Sequence, residues 1–135
     1  IDNTLVSWDT KEPDDKVYEL VRKLGEEGFN ICILSNGTRK RVEEFNKYLK
    51  LPAVYKAIKP SKTAFRRAMK LMNSVPANTA VIGDQIFTDV LGGNRLGLLT
   101  ILVAPISENE FIWTRIVRKL ERHILKKHNH FNNEH

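Results

Sequence analysis

The chain has little cysteine, no long apolar run and no leader pattern. Cys32 is its single cysteine among 135 residues, so an internal disulfide is excluded. Because Cys32 lies inside an apolar stretch, we interpret it as a small buried hydrophobic residue rather than a catalytic thiol. No apolar run approaches the ~20 residues that span a bilayer. No basic segment followed by an apolar one opens the chain, as a signal peptide would. We therefore expect a cytoplasmic protein.

Acidic residues are outnumbered by basic ones. The sequence has 22 Lys and Arg against 16 Asp and Glu, a net charge of +6. A positive field favours anionic partners such as phosphate esters, nucleic acid or anionic lipid, without choosing among them. The 41% hydrophobic and 28% charged residues are ordinary for a globular domain, and the length suggests one domain.

Short apolar runs alternate with helical patterns along the chain. Helical spacing of apolar residues predicts helices at 14–27, 38–49, 60–72 and 88–96. Apolar runs predict strands at 29–34, 54–58, 79–82 and 98–103. This alternation predicts an α/β fold, with helices on both faces of a parallel sheet. In such sheets the active site lies at the carboxyl ends of the strands.

Two carboxylates follow one of these predicted strands. Asp84 ends the strand at 79–82, and Asp89 comes five residues later. Two neighbouring carboxylates repel each other unless a cation lies between them, and Mg²⁺ prefers oxygen ligands of this kind. The other interpretation is that Asp84 or Thr88 caps the following helix. From this segment alone, a metal site and a helix cap are equally supported.

Four more polar residues lie where the predicted active-site edge would be. Ser35 and Asn36 end the strand at 29–34, where they would either bind phosphoryl oxygens or form a turn. Lys59 precedes a helix start and is either a phosphate contact or a solvated lysine. Asp2 is either a general acid and base or a solvated carboxylate. Together these residue types are the ones that phosphoryl transfer needs.

Four segments of the chain resemble, in order, the four motifs of the haloacid dehalogenase-like (HAD) phosphatases. They are Ile1-Asp2-Asn3-Thr4-Leu5-Val6, Leu34-Ser35-Asn36, Lys59-Pro60, and Gly83-Asp84 with Asp89. The amino-acid sequences of these segments are most similar to those of the YqeG-type branch of subfamily IIIA. The resemblance implies a three-layer Rossmann-like core. It also implies Mg²⁺-dependent hydrolysis of a phosphate monoester through an aspartyl-phosphate.

The resemblance also implies a role for each matched residue. Asp2 would protonate the leaving oxygen and then activate water, and its backbone carbonyl would ligate Mg²⁺. Ser35 and Asn36 would bind the phosphoryl group, which Lys59 would neutralise.

The metal and the nucleophile complete the implied site. Asp84 would ligate Mg²⁺ directly, and Asp89 through a water molecule. The nucleophile, the first Asp of the family's D-x-D motif, would occupy the position just before Ile1. The family's central first strand would precede it. We therefore expect the chain that begins at Ile1 to be a fragment that lacks both, with unpaired edges on the neighbouring strands.

The intervals between the motifs bear on access to the site. Family members with cap domains insert them after the first motif or between the second and third. From Asp2 to Ser35 there is one helix and one strand, and from Ser35 to Lys59 one helix and a short strand. Neither interval has room for a cap. We expect an open site that suits a large or surface-bound ester, or one covered by another subunit of an oligomer.

The end of the chain is predicted to form a basic amphipathic helix at 111–127, which closes a core domain at 1–127. Its apolar face either packs on the sheet or lies on an anionic membrane. Relatives of the branch include phosphatidylglycerophosphate phosphatases, so a lipid phosphate is one candidate substrate. The polar tail at 128–135 is expected to be disordered, and its histidines to bind metal only incidentally.

A binding module is the alternative to an enzyme. A basic domain that keeps phosphate-binding groups but lacks its nucleophile would hold RNA, a ribosome surface or a phospholipid without turnover. No aromatic stacking platform of the RNA-recognition kind is evident, which disfavours nucleic acid.

The expected position of the nucleophile gives a first test. A chain verified to begin at Ile1 should show no Mg²⁺-dependent phosphatase turnover, because it cannot form the aspartyl-phosphate. Measurable turnover by that chain would contradict the assignment. The residue encoded immediately before Ile1 is a second check: Asp supports the enzyme, and any other residue supports the binding module.

Overall fold

The structure, a computed structural model, describes residues 1–2, 4–7 and 9–104. The helices are α1 Asp15–Glu26, α2 Arg39–Asn46, α3 Lys62–Leu71 and α4 Leu91–Asn94. The strands are β1 Ile33–Leu34, β2 Ala53–Val54, β3 Ala80–Gly83 and β4 Leu99–Leu102. A short 3-10 helix, Pro76–Asn78, precedes β3, and a π-helical turn, Ile86–Val90, precedes α4. The predicted helix at 111–127 and the tail at 128–135 lie outside the described residues.

The helices begin where the sequence supplies capping side chains. Asp14 Oδ1 accepts a hydrogen bond from the Val17 N–H at 2.9 Å and caps α1. Thr38 Oγ1 accepts one from the Arg41 N–H at 3.3 Å and caps α2. Past the end of α1, Gly28 has φ +86, a conformation that favours glycine. These two caps confirm the predicted starts of α1 and α2.

The strands form two parallel pairs. Ile33 of β1 pairs with Ala53 of β2, and Ala80 of β3 pairs with Leu99 of β4. The parallel α/β architecture is as predicted, but β1 is shorter than the predicted strand at 29–34. In the described part of the chain, β1 and β3 do not pair with each other. Among these residues, β1 and β3 therefore each have one strand partner.

A cavity of about 640 Å³ separates the two pairs of strands. Cys32 and Leu34 line it from the side of β1, and Val81 and Ile82 from the side of β3. Burial raises the pKa of the Cys32 thiol to about 11, so it is protonated at neutral pH. This state agrees with the interpretation of Cys32 as a small hydrophobic residue.

Four apolar clusters hold the helices against these strands. Val17 of α1 and Phe45 of α2 pack with Ile33 of β1, whereas Phe65 of α3 packs with Leu98 beside β4. α3 also contacts β1 and β2, so it touches both halves of the fold. Within the described ranges, no helix combines the length and the apolar character needed to cross a membrane.

Close packing of α4 on α3 generates a stability prediction. A Cβ added at Gly92 would overlap the ring of the buried Phe65. We expect Gly92→Ala to lower the free energy of unfolding by about 1–3 kcal/mol, because the ring has to move in a packed core.

The matched control is Gly25→Ala in α1. A Cβ there meets nothing within 4 Å, so the substitution should raise the free energy of unfolding by roughly 0.5–1 kcal/mol. Urea denaturation of the two variants measures both effects. Equal stability of the two variants would contradict the tight contact.

Candidate active site

The carboxyl ends of β1 and β3 place the predicted site residues at one edge of the fold. Lys59 contacts Asp89 at 2.6 Å, and Asp84 follows Gly83, where an added Cβ would overlap the Asp89 carboxylate. The structure thus brings Lys59, Asp84 and Asp89 to one place, whereas Asp2 pairs with Arg41.

Lys59 and Asp89 form a buried ion pair. Lys59 Nζ donates to Asp89 Oδ1 at 2.6 Å, and the two side chains are only 12% and 7% exposed. Asp89 Oδ2 also accepts a hydrogen bond from the Gln85 N–H at 3.3 Å. Isolated charges are costly to bury, so each group of such a pair depends on the other. In this structure Asp89 therefore fixes the lysine, a contact that its predicted metal role did not include.

A strained loop carries Lys59 to this position. Lys56 and Ile58 have φ values of 46° and 54°, in the left-handed region that β-branched residues such as Ile58 rarely adopt. The Lys59 N–H donates to Asn36 Oδ1 at 2.8 Å. Backbone strain of this kind persists where surrounding contacts over-determine it, often at functional sites. Asn36 thus holds the loop of Lys59 through its side-chain oxygen.

Ser35 directly follows β1 and is 5% exposed. Its Oγ accepts a hydrogen bond from the Gly37 N–H at 3.0 Å. Ser35 therefore forms the turn that was one of its two predicted roles. A Cβ added at Gly37 would lie only 3.1 Å from this Oγ. The hydroxyl therefore lies directly beside the backbone of the loop between β1 and α2.

Asp84 directly follows β3 and accepts a hydrogen bond from the Thr4 hydroxyl at 2.6 Å through Oδ1. This bond joins the first residues of the chain to the second pair of strands. Gly83, just before Asp84, has no room for a side chain, because a Cβ there would overlap the carboxylate of Asp89. The glycine lets the two carboxylate-bearing segments approach each other.

Asp2 has a partner that the motifs did not reveal. Arg41, in the first turn of α2, donates to Asp2 Oδ1 from Nη2 at 2.6 Å and from Nε at 3.2 Å. The sequence has 22 basic residues and offers no local signal that selects this one. Its distance of 39 positions from Asp2 makes the contact a product of the tertiary fold.

The residues present can be tested for their fit to Mg²⁺. Among the described residues, no three His, Cys, Asp or Glu side chains cluster in an arrangement that could hold a metal ion. Mg²⁺, however, is usually bound by one or two carboxylates, with water and substrate phosphate supplying the other ligands. Asp84 and the backbone carbonyl of Asp2 are oxygen donors of this type, so the donor set fits the metal.

Comparisons with known proteins find a hydrolase family and a phosphatase. A family model described as HAD-hydrolase-like matches residues 57–105. A protein of Bacillus subtilis named probable phosphatase YqeG is 43% identical over 125 residues, which cover 93% of this chain and 73% of that protein.

Two further curated proteins match over smaller shares of their length. Phosphatidylglycerophosphate phosphatase 1 of Arabidopsis thaliana is 41% identical over 71 residues, 51% of this chain and 20% of that protein. Pyrophosphatase PpaX of Bacillus mycoides is 28% identical over 102 residues, 69% of this chain and 47% of that protein.

Solved structures share the fold. A HAD-superfamily hydrolase from Ehrlichia chaffeensis superposes with a TM-score of 0.63 at 22% identity, covering 80% of this chain and 58% of that one. A HAD phosphatase from Thermococcus onnurineus gives 0.62 at 17% identity, covering 73% and 50%. The chain thus spans little more than half the length of these structures.

The buried ion pair generates a prediction about stability. Asp89→Leu leaves the Lys59 ammonium buried without its partner, so we expect the free energy of unfolding to fall by about 3–5 kcal/mol. The double variant Lys59→Met with Asp89→Leu removes both charges and should regain much of that loss. Urea denaturation measures each value.

An exposed ion pair serves as the control. Lys23 and Glu19 lie 2.9 Å apart, with side chains 60% and 57% exposed, so Lys23→Gln should cost less than about 1 kcal/mol. A double variant less stable than Asp89→Leu alone would contradict the mutual dependence of Lys59 and Asp89.

Proposed function

The chain belongs to the haloacid dehalogenase-like phosphatases of the YqeG type, and from this membership we propose that it hydrolyses a phosphate monoester with the help of Mg²⁺. The observation that carries the proposal is the contact of Lys59 with Asp89 at 2.6 Å, next to Gly83 and Asp84 at the end of β3. A cation among carboxylates at the carboxyl ends of parallel strands suits the binding of a phosphoryl group and a metal.

We propose that the phosphoryl group lies between Lys59 and the loop that begins at Ser35. Lys59 would balance its negative charge, and Ser35 with the following backbone N–H groups would hold its oxygens. Asn36 supports this site by fixing the Lys59 backbone at 2.8 Å. Asp84 and the Asp2 carbonyl would hold Mg²⁺, which supplies positive charge to the phosphoryl oxygens when bound.

The proposed reaction has two steps. A carboxylate oxygen at the position before Ile1 forms a bond to phosphorus as the ester oxygen departs, and that oxygen takes the proton carried by Asp2. A water molecule then attacks phosphorus, gives a proton to Asp2 and releases phosphate, which regenerates the carboxylate. Asp89 keeps Lys59 in place through both steps by their contact at 2.6 Å.

The substrate is proposed at the level of a chemical class. Two relatives are named for a pyrophosphatase and a phosphatidylglycerophosphate phosphatase, and both names refer to compounds with two phosphate groups. Between β1 and Lys59 the chain forms only α2 and β2, so no cap domain is inserted there. An open site of this kind accommodates a large ester.

The partners predicted at the end of the chain stay predictions. Membrane contact by the basic helix at 111–127 falls outside the described residues, and oligomer formation also stays a prediction. The names of the relatives favour a phosphatase over the binding module.

The acid and base role of Asp2 gives the test of the proposed function. In the full-length protein, Asp2→Asn should lower kcat by about 10²–10⁴-fold, because neither proton transfer can occur. Phosphate released from 4-nitrophenyl phosphate and glycerol 1-phosphate in the presence of Mg²⁺ measures the effect. The exposed Asp9 lies in the same segment, and Asp9→Asn should leave kcat within about twofold of wild type.

A second measurement addresses the covalent intermediate. Brief incubation with phosphate-labelled substrate followed by acid quench should trap label that hydroxylamine releases, as an acyl phosphate requires. Full activity of Asp2→Asn, or turnover without any trapped label, would contradict the proposed route.

A further inference from the structure

We propose that an exposed apolar surface beside the candidate active site docks on an anionic lipid bilayer. Four large apolar side chains form this surface, which we call the rim patch. They are Ile58, Ile86, Phe87 and Leu91. Ile58 and Phe87 are the most exposed large hydrophobic residues in the described part of the chain, at 77% and 79%. Apolar groups that gather on a surface in this way mark a contact with a partner protein or a membrane.

Two contacts join the segments that carry the rim patch. Lys59, the neighbour of Ile58, forms the 2.6 Å ion pair with Asp89. Arg95 Nη1 donates to the Pro60 carbonyl at 3.4 Å. The loop that carries Ile58 therefore lies against the π-helical turn and α4, which carry the other three members of the patch.

The local structure keeps these apolar side chains outside the core. α4 packs on α3 through Gly92, where an added Cβ would overlap the ring of Phe65. Leu91 and Arg95 are four positions apart, share a face of the helix and are both exposed. Ile58 has φ 54°, a conformation that β-branched residues rarely adopt. An isoleucine at this position gains nothing from the core, whereas contact with an apolar partner gives it a role.

The half of the chain that carries the rim patch is strongly basic. Residues 55–104 contain two acidic residues, Asp84 and Asp89, against seven basic ones. The basic residues are Lys56, Lys59, Lys62, Arg66, Arg67, Lys70 and Arg95. Among the residues that the structure describes, Lys59 is the only one of these seven that pairs with a carboxylate. The other six leave a positive field around the patch, which favours an anionic partner.

The charge selects a bilayer over a second copy of the chain. Two copies that meet through the same surface in a twofold dimer place the same cations opposite each other, which is unfavourable. Anionic headgroups supply the opposite charge, and the interface beneath them accepts apolar side chains. RNA also supplies negative charge, but its bases stack on aromatic rings, and three of the four patch residues are aliphatic.

Vesicle binding by the full-length protein tests this assignment. The probes are vesicles of phosphatidylcholine with and without phosphatidylserine, separated by flotation. We expect binding to the vesicles that contain phosphatidylserine, weaker at high salt because salt screens the charges. Phe87→Ser should lower the partition coefficient by about 10–100-fold, the effect of losing one buried apolar side chain.

A second apolar variant guards against loss of folding. Ile58→Asn removes the other protruding side chain and should also lower the partition coefficient, by about tenfold or more. Asn adopts the left-handed conformation more readily than Ile, so this variant should be as stable as the wild type. Urea denaturation checks the stability of each variant.

Val75→Ser is the matched apolar control. Val75 is as exposed as Ile86, but it precedes β3, whereas the rim patch follows the end of that strand. This variant should keep the partition coefficient within about twofold of the wild-type value.

The charges are tested by a matched pair of double variants. Lys62→Gln with Arg66→Gln removes two cations at the start of α3, directly after the loop of Ile58. It should lower binding to the phosphatidylserine vesicles by about 10–30-fold. Arg22→Gln with Lys23→Gln removes the same charge from α1, where both residues already pair with glutamates, and should have an effect within about twofold.

Several results would overturn the proposal. Equal binding to both kinds of vesicle excludes an anionic lipid as the partner, and absence of binding excludes a bilayer. Binding that Phe87→Ser and Ile58→Asn leave unchanged assigns it to another part of the chain, such as residues 111–127. A dimer in size-exclusion chromatography that Phe87→Ser dissociates, without vesicle binding, assigns the patch to a second copy. The inference goes beyond the proposed function, and none of these measurements depends on turnover.

Discussion

The ion pair between Lys59 and Asp89 is the contact on which the rest of the site depends. Lys59 follows β2, and Asp89 follows β3, so the pair joins two parallel strand pairs that do not hydrogen-bond to each other. Its two charges are buried at 2.6 Å from each other, and neither is stable there alone. The ion pair therefore links the loop after β2 to the segment after β3.

The first residues of the chain make two further connections across the same gap. Thr4 binds Asp84 on the side of β3, whereas Asp2 binds Arg41 on the side of α2. One short segment thus touches both halves of the fold, and it does so at the edge where the strands end. These two bonds therefore link segments that are far apart in sequence.

The charges of the site divide into an inner and an outer pair. Lys59 and Asp89 are sequestered, and a strained loop carries Lys59. Arg41 and Asp2 are more exposed, with side chains 19% and 37% exposed. The two ion pairs therefore differ in how far solvent reaches them.

The sequence by itself determined the local features of this protein. Helix starts at Asp14 and Thr38, the alternation of helices and strands, and the motif residues at strand ends all follow from interactions within a few positions. The partners of Arg41 and Asp89 did not, because they depend on contacts between segments 30 to 39 residues apart. Strand length did not either, because it depends on pairing between separate segments such as Ile33 with Ala53. β1 is limited to Ile33–Leu34 since a strand extends only where a neighbour pairs with it. Tertiary structure alone decided which cation meets which carboxylate, because charge pairing depends on distance in space and not on position in the chain.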